Sequence, residues 1–151
     1  FRRLGIVESA YLLDDMYVEA IADGCHLPLD LLKMIIKLKG TDHVCLITDA
    51  LRPGGIAEEG KEYTDCPVPF VIEDGVAKLL DRSAFAGSIA TSDILLKTAV
   101  KSGCSVADAV KMMTATPAKV MGLTAKGKIA AGYDVCFTVF DENLDIVDIK
   151  I

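Results

Sequence analysis

Asp49 and His26 stand where chains that alternate strands and helices carry their chemistry. Asp49 directly follows the apolar run HVCLIT, residues 43–48. A carboxylate held on a rigid strand end, partly withdrawn from water, has a pKa that its surroundings can tune toward general acid/base work. An aspartate there also serves as an ordinary turn or helix cap, and the residues alone leave both readings open. His26 ends Asp23-Gly24-Cys25-His26 at the matching place after the preceding strand, and it is one of only 2 histidines. Imidazole changes charge near neutral pH, which suits anion binding or proton transfer. Asp23 lies close enough to Cys25 and His26 to suggest a metal ligand, yet Asp-Gly is also a turn dipeptide, and the turn reading is the stronger.

Other groups carry weaker signals. Arg2 and Arg3 precede Gly5 and could grip an anion through two hydrogen bonds. Ala86-Gly87-Ser88 would let backbone amides approach a ligand ahead of a helix. The 5 cysteines fall singly at 25, 45, 66, 104 and 136. An odd number without a Cys-x-x-Cys pair fits neither a disulfide framework nor a zinc knuckle, so they read as reduced structural thiols. With no His-x-His or His-Glu-x-x-His either, the chain is not expected to complete a metal site by itself.

The elements that must hold these groups are legible in outline. Met16 to Ala22 suits a strand ending at Asp23-Gly24. Leu29, Leu32, Ile35, Ile36 and Leu38 recur at helical spacing, with Pro28 or Asp30 at the start and Gly40 at the stop. His43 to Thr48 reads as a strand buried on both faces. Strand, helix, strand implies a parallel βαβ unit, in which chemistry gathers beyond the carboxyl ends of the strands. Farther on, Pro67–Ile72 and Val76–Leu80 predict a hairpin around Glu73-Asp74-Gly75. Three helices follow, over Thr91–Lys101, Ser105–Met113 and Thr116–Met121, with Pro117 expected at the first helical position of the last. Two more strands are expected over Val135–Phe140 and Asp145–Ile151.

Composition narrows the function classes. The 151 residues are 52% hydrophobic, with 22 acidic side chains against 16 basic ones and a net charge of −6. Such an excess leaves no basic face for a phosphate backbone, which argues against nucleic-acid binding. No apolar run approaches the about 18 to 20 residues that span a bilayer, so no membrane association is expected. The chain opens on Phe1 without a leader and closes on an apolar run, and it reads as cut from something longer.

Taken together, Ile21-Ala22-Asp23-Gly24-Cys25-His26, Leu46-Ile47-Thr48-Asp49-Ala50, Phe85-Ala86-Gly87-Ser88, Thr116-Pro117-Ala118 and Gly127-Lys128-Ile129-Ala130-Ala131-Gly132-Tyr133-Asp134 resemble the carboxy-terminal part of the N-acetylglucosamine-6-phosphate deacetylases, metal-dependent members of the amidohydrolase superfamily. The resemblance runs nearly end to end.

It implies an α/β fold: residues 1–125 as the last strands and helices of a metal-dependent-hydrolase (β/α)8 barrel, with a hairpin insertion near 62–80, and 126–151 as strands of a small β-sandwich. The barrel would be incomplete. It further implies that Asp49 is the general acid/base and that His26 and Arg2 hold the 6-phosphate, Arg2 in a neighbouring subunit's site. Asp23, Gly24 and Cys25 would complete the substrate-binding loop beside His26, while Ala84, Phe85, Ala86 and Gly87 would line the sugar pocket.

The family's divalent metal, zinc or iron, would be held by residues that precede Phe1. No metal ligand is expected in this chain, and the chain alone should be inactive. Leu4 and Glu8 depart from the family's Pro and Gly near Arg2, and Cys136 replaces an acidic residue. The expected parent is a cytoplasmic hydrolase acting on a phosphosugar. A truncated barrel exposes sheet edge, so a homodimer or higher homo-oligomer is expected. Two other functions remain open at this stage: a different amidohydrolase, such as a cyclic amidase or deaminase, and a non-catalytic phosphosugar- or partner-binding domain.

Overall fold

The computed structural model describes residues 3–151. Its elements in chain order are α1 (Ile6–Leu12), β1 (Val18–Ile21), α2 (Leu29–Lys39), β2 (Val44–Ile47), β3 (Glu62–Tyr63), β4 (Phe70–Glu73), β5 (Val76–Leu79), β6 (Phe85–Gly87), α3 (Ser92–Lys101), α4 (Val106–Met113), α5 (Ala115–Val120), β7 (Phe137–Phe140) and β8 (Ile146–Lys150).

β1 and β2 pair in parallel, with Val18 opposite Val44 and Ile21 opposite Ile47, and α2 makes the crossover between them. The expected βαβ unit is therefore present. Val44, Cys45 and Leu46 are all buried, as a continuous apolar strand requires. α2, α3 and α4 contribute Leu32, Leu95, Leu96, Ala99, Ala109 and Met112 to one core with Ala20, Val44 and Leu46 of the two strands. Apolar area removed from water holds this layer together.

A second, smaller core lies under an antiparallel sheet in the order β3-β4-β5-β6. Phe70, Ile72 and Ala77 form it, with Tyr63 stacked on Phe70 at 5.0 Å between ring centroids. The hairpin turn at Asp74 and Gly75 has positive φ at both residues, 56° and 74°, the geometry that matches strand twist in two-residue turns. The two sheets meet through a parallel bridge between Ala50 and Ser88, backed by the Leu51 amide donating to the Ser88 carbonyl at 2.8 Å. β7 and β8 form a separate antiparallel pair whose Phe140, with nearby Leu144, packs on the first core. The strands thus fall into three sheets, and no closed barrel forms among the described residues.

Several local expectations are corrected. Pro117 stands third in α5 rather than first, because the helix begins at Ala115. The first turn has no intrahelical acceptor for its amides, so it tolerates a proline at either place. Phe85–Gly87, for which the sequence suggested no regular element, is a strand, since a run of three residues has no readable periodicity. The helix α1 has no counterpart in the sequence reading, and its apolar residues Ile6, Val7 and Leu12 are exposed. Ser105 caps α4: its hydroxyl accepts from the Asp108 amide at 3.1 Å.

Lys39 anchors α1 to the remainder. Its ammonium is buried at the end of α2 and donates to the carbonyls of Ala10 at 3.0 Å, Leu13 at 2.8 Å and Asp14 at 3.4 Å. Those carbonyls lie at the carboxyl end of α1, where intrahelical donors run out; Leu13 also accepts from the Met16 amide at 3.1 Å, and the negative end of the helix dipole favours a cation there. Lys39→Met should therefore cost about 1–3 kcal/mol in chemical denaturation and should abolish hydrogen-exchange protection of α1 before that of β1 or β2. Leu32→Ala, a cavity in the first core, should cost about 2–5 kcal/mol and lower protection throughout the βαβ unit.

Candidate active site

The parallel register decides where the polar residues stand. Asp23 lies two residues beyond Ile21, and Asp49 two beyond Ile47, the last matched pair of β1 and β2. Both carboxylates therefore occur at the same end of the sheet and at the same level. Their surroundings then diverge.

The Asp23 side chain is only 3% exposed, and both of its oxygens are engaged. One oxygen accepts the amides of Cys25 and His26, each at 2.9 Å, and the other meets His26 Nδ1 at 2.7 Å. Burial, the largest single influence, pushes this carboxyl's pKa upward. The hydrogen bonds from the two amides and the imidazole together outweigh it and hold the group below the ordinary carboxylate value. Gly24 has φ +83°, which lets the chain curl back over the carboxylate. Both Asp23 oxygens are thus engaged in shaping the loop and orienting His26, as the turn reading expected. His26 gives its Nδ1–H to Asp23, which leaves Nε2 for a partner outside the loop.

His26 meets Phe85 edge-on, 5.1 Å between ring centroids. The turn after β1 and the strand β6, separate in the sequence, are thereby brought together. Phe85, 46% exposed, and Ala84 line a cleft of about 410 Å³ with Lys78, Arg82 and Ser83. Ala86 packs on the second core. A side chain at Gly87 would approach the Leu51 side chain to 2.8 Å, so this glycine allows the strand to pass close to the segment that follows Asp49. Cys25 is half-buried; burial first, then the charges of Asp23 and Asp74, push its thiol up, while Lys78 draws it down. It stays a neutral thiol, unsuited to nucleophilic work.

Asp49 is exposed, not partly desolvated as its place after a buried strand suggested. The described chain supplies neighbours on the β1 and β6 sides only, and a carboxylate at a strand end needs walls all round to lose water. Its backbone is left-handed, with φ 47°, a conformation that aspartate tolerates better than most residues and that recurs at functional sites. Arg2, expected to reach a phosphate, lies outside the described residues.

The sequence reading missed Lys78 and Arg82. Both are spoken for: Lys78 pairs with Asp74, and Arg82 gives two nitrogens to the Glu73 carboxylate. The cleft wall is consequently close to neutral. Cations spaced along a hairpin next to the Phe85 segment were the available signal.

Among the described residues no group of three or more His, Cys, Asp or Glu side chains is gathered to hold a metal ion. Asp23, His26 and Asp49 are not gathered into a donor set, so the divalent ion implied by the family resemblance does not fit the described residues.

Two outcomes follow for the Asp23–His26 pair. Asp23→Asn should release the His26 ring, seen as a changed Nδ1/Nε2 tautomer pattern and averaged ring shifts in nitrogen-15 NMR. Because the folded-state pKa of Asp23 is lowered, its stabilisation is present above the ordinary value of 3.8 and is lost as pH falls through the lowered one. Acid unfolding should accordingly show a weaker pH dependence below pH about 4 in Asp23→Asn than in the parent.

The family model described as "Amidohydrolase family" matches residues 3–150. An N-acetylglucosamine-6-phosphate deacetylase of Lysinibacillus sphaericus is 33% identical over 93% of this chain, which spans 36% of that protein. The crystal structure of N-acetylglucosamine-6-phosphate deacetylase from Thermotoga maritima superposes with a TM-score of 0.86 at 30% identity, covering 95% of this chain and 39% of that one. A Mycobacterium smegmatis N-acetyl-D-glucosamine-6-phosphate deacetylase variant, in complex with N-acetyl-D-glucosamine-6-phosphate, gives 0.85 at 27% identity over 96% of this chain and 39% of that one. This chain therefore spans little more than a third of the relatives it matches. With the match running almost from end to end, the chain belongs to the amidohydrolase family.

Proposed function

We propose that this chain is the carboxy-terminal part of a hydrolase that converts N-acetyl-D-glucosamine 6-phosphate and water to D-glucosamine 6-phosphate and acetate. The observation that carries this reading is the meeting of His26 with Phe85 at the end of the sheet where the register also puts Asp49. The similarity to deacetylases of this phosphosugar supports the choice of substrate.

In this reading Asp49 takes a proton from the attacking water as its oxygen bonds to the acetamide carbon. As the carbon–nitrogen bond breaks, Asp49 returns that proton to the departing amine, and acetate is left. An exposed carboxylate with no partner among the described residues is free for this exchange, whereas Asp23 is held by its loop. Substrate and the missing part of the protein would close over Asp49 and withdraw it from water. His26, with its Nδ1–H given to Asp23, donates from a protonated Nε2 to a 6-phosphate oxygen, assisted by Arg2 from a neighbouring subunit. Gly24 and Cys25 shape the loop below the phosphate, and Ala84 to Gly87 border the sugar. The divalent ion would draw its donors from outside this chain, and the chain alone would not turn over.

Residues 1–125 are in this reading an arc of a (β/α)8 barrel carrying the β3–β6 sheet as an insertion, and 126–151 part of a β-sandwich. The exposed Val147 and Ile149 of β8 suit strands that another segment covers. A cytoplasmic homodimer or larger homo-oligomer completes the proposal.

In the intact protein, Asp49→Asn should lower kcat about 10²–10⁴-fold with little change in KM; turnover within a few-fold of the parent would sink the acid/base assignment. His26→Ala should raise KM for the phosphorylated sugar and leave activity on the unphosphorylated sugar unchanged. Equal activity on the two sugars in the parent would favour a different amidohydrolase. Light scattering should return a dimer or larger assembly, and a monomer would contradict the oligomer.

A further inference from the structure

A second cleft of the described chain lies at the opposite end of β2 from Asp49. It has a volume of about 500 Å³ and is bordered by Asp42, just before β2, by Lys111 of α4 and Lys119 of α5, and by Lys126, Lys128 and Tyr133 of the segment that follows. From Asp42 to Asp49 is roughly 20 Å along an extended strand, so this cleft and the candidate active site do not overlap.

The cleft is built by close packing. Gly127, with φ +85°, passes so near the start of α5 that a side chain would meet Ala115 Cα at 2.8 Å and the Thr114 carbonyl at 2.9 Å. That approach sets Lys126 and Lys128 beside the lysines of the helices. The segment is closed on itself by the Asp134 amide donating to the Ala125 carbonyl at 2.9 Å and by Lys126 pairing with Asp134 at 2.7 Å.

Charge accumulates here against the trend of the molecule. Of the four lysines, Lys111 is matched by Asp42 at 2.8 Å and Lys126 by Asp134. Among the described residues Lys119 and Lys128 have no carboxylate partner, and Lys119 lies 5.7 Å from the centre of the Tyr17 ring. Lys119, although its ammonium also meets Tyr17, and Lys128 thus bring two positive charges without a carboxylate ion pair to one concavity of a chain whose net charge is −6. A concave cluster of ammonium groups on flexible stems attracts and adapts to compact anions of high charge. Tyr133 adds a ring and a hydroxyl for an organic portion.

We propose that this cleft binds a multiply charged phosphate compound, with Lys119 and Lys128 as its principal contacts and Lys111 and Lys126 as secondary ones. The site is independent of the phosphosugar reading above.

The test is calorimetric titration of the intact protein at low salt with two probes, inorganic pyrophosphate and a sugar bisphosphate. The expected result is one saturable site for at least one probe that weakens with added salt, persists in His26→Ala, and loses at least tenfold in affinity in Lys119→Gln/Lys128→Gln. Both lysines are exposed, so the double variant should keep the parent's melting temperature, and Lys128→Gln alone should show a partial loss. The tighter probe tells whether the organic portion contributes. Absence of saturable binding, equal affinity in the double variant, or loss of binding in His26→Ala would overturn the proposal, the last by assigning the anion to the phosphosugar site.

Discussion

The ladder of parallel hydrogen bonds between β1 and β2 is the constraint on which the candidate site rests. A side-chain period of two means that a slip of one residue would turn every apolar residue of β2 to the wrong face. Burial of Val44, Cys45 and Leu46 forbids that slip. The same register sets Asp23 and Asp49 level with each other at one end of the sheet. Helices α2, α3 and α4 pack over the strands, and the energy that keeps two carboxylates in place comes from Leu32, Leu95, Leu96 and Met112, not from polar contacts at the site.

From that shared level the two aspartates take opposite courses. Asp23 is buried, and a buried carboxylate is tolerable only when its oxygens are satisfied. Two amides and an imidazole satisfy them, which converts the residue into a clamp on His26. Asp49 follows the strand into a left-handed turn and stays exposed, without a partner among the described residues. The first is thereby suited to positioning and the second to exchanging protons with a bound molecule. Neither role was readable from the identity of the residue, because both are aspartates after a strand.

Charge is distributed unevenly across the remaining surface. Near Phe85 the cations of Lys78 and Arg82 are balanced by Asp74 and Glu73. At the far end of β2, lysines from three consecutive segments converge with fewer carboxylates among them. Both arrangements arise from close backbone approaches, the tight turn at Asp74 and Gly75 in one case and Gly127 against Ala115 in the other. Exposed apolar residues on α1 and on β7–β8 mark surfaces that the described chain does not cover.

The sequence by itself determined the βαβ unit, the hairpin, the helices α2 to α5 and the residues on which the candidate site centres. Continuous apolar runs, helical spacing, a capping serine and Asp-Gly turns are local signals, and each is written in a few adjacent residues. The short strands β3 and β6 and the helix α1 escaped, since two or three residues carry no period and the apolar residues of α1 have no face to cover. Only the tertiary structure decided that His26 touches Phe85, that Asp23 is consumed by its own loop, that Asp49 stands in water, and that lysines 111 to 128 share a cleft. Each of these depends on the burial and distance of groups far apart in the chain, which residue type and spacing do not encode until the hydrophobic cores have brought them together.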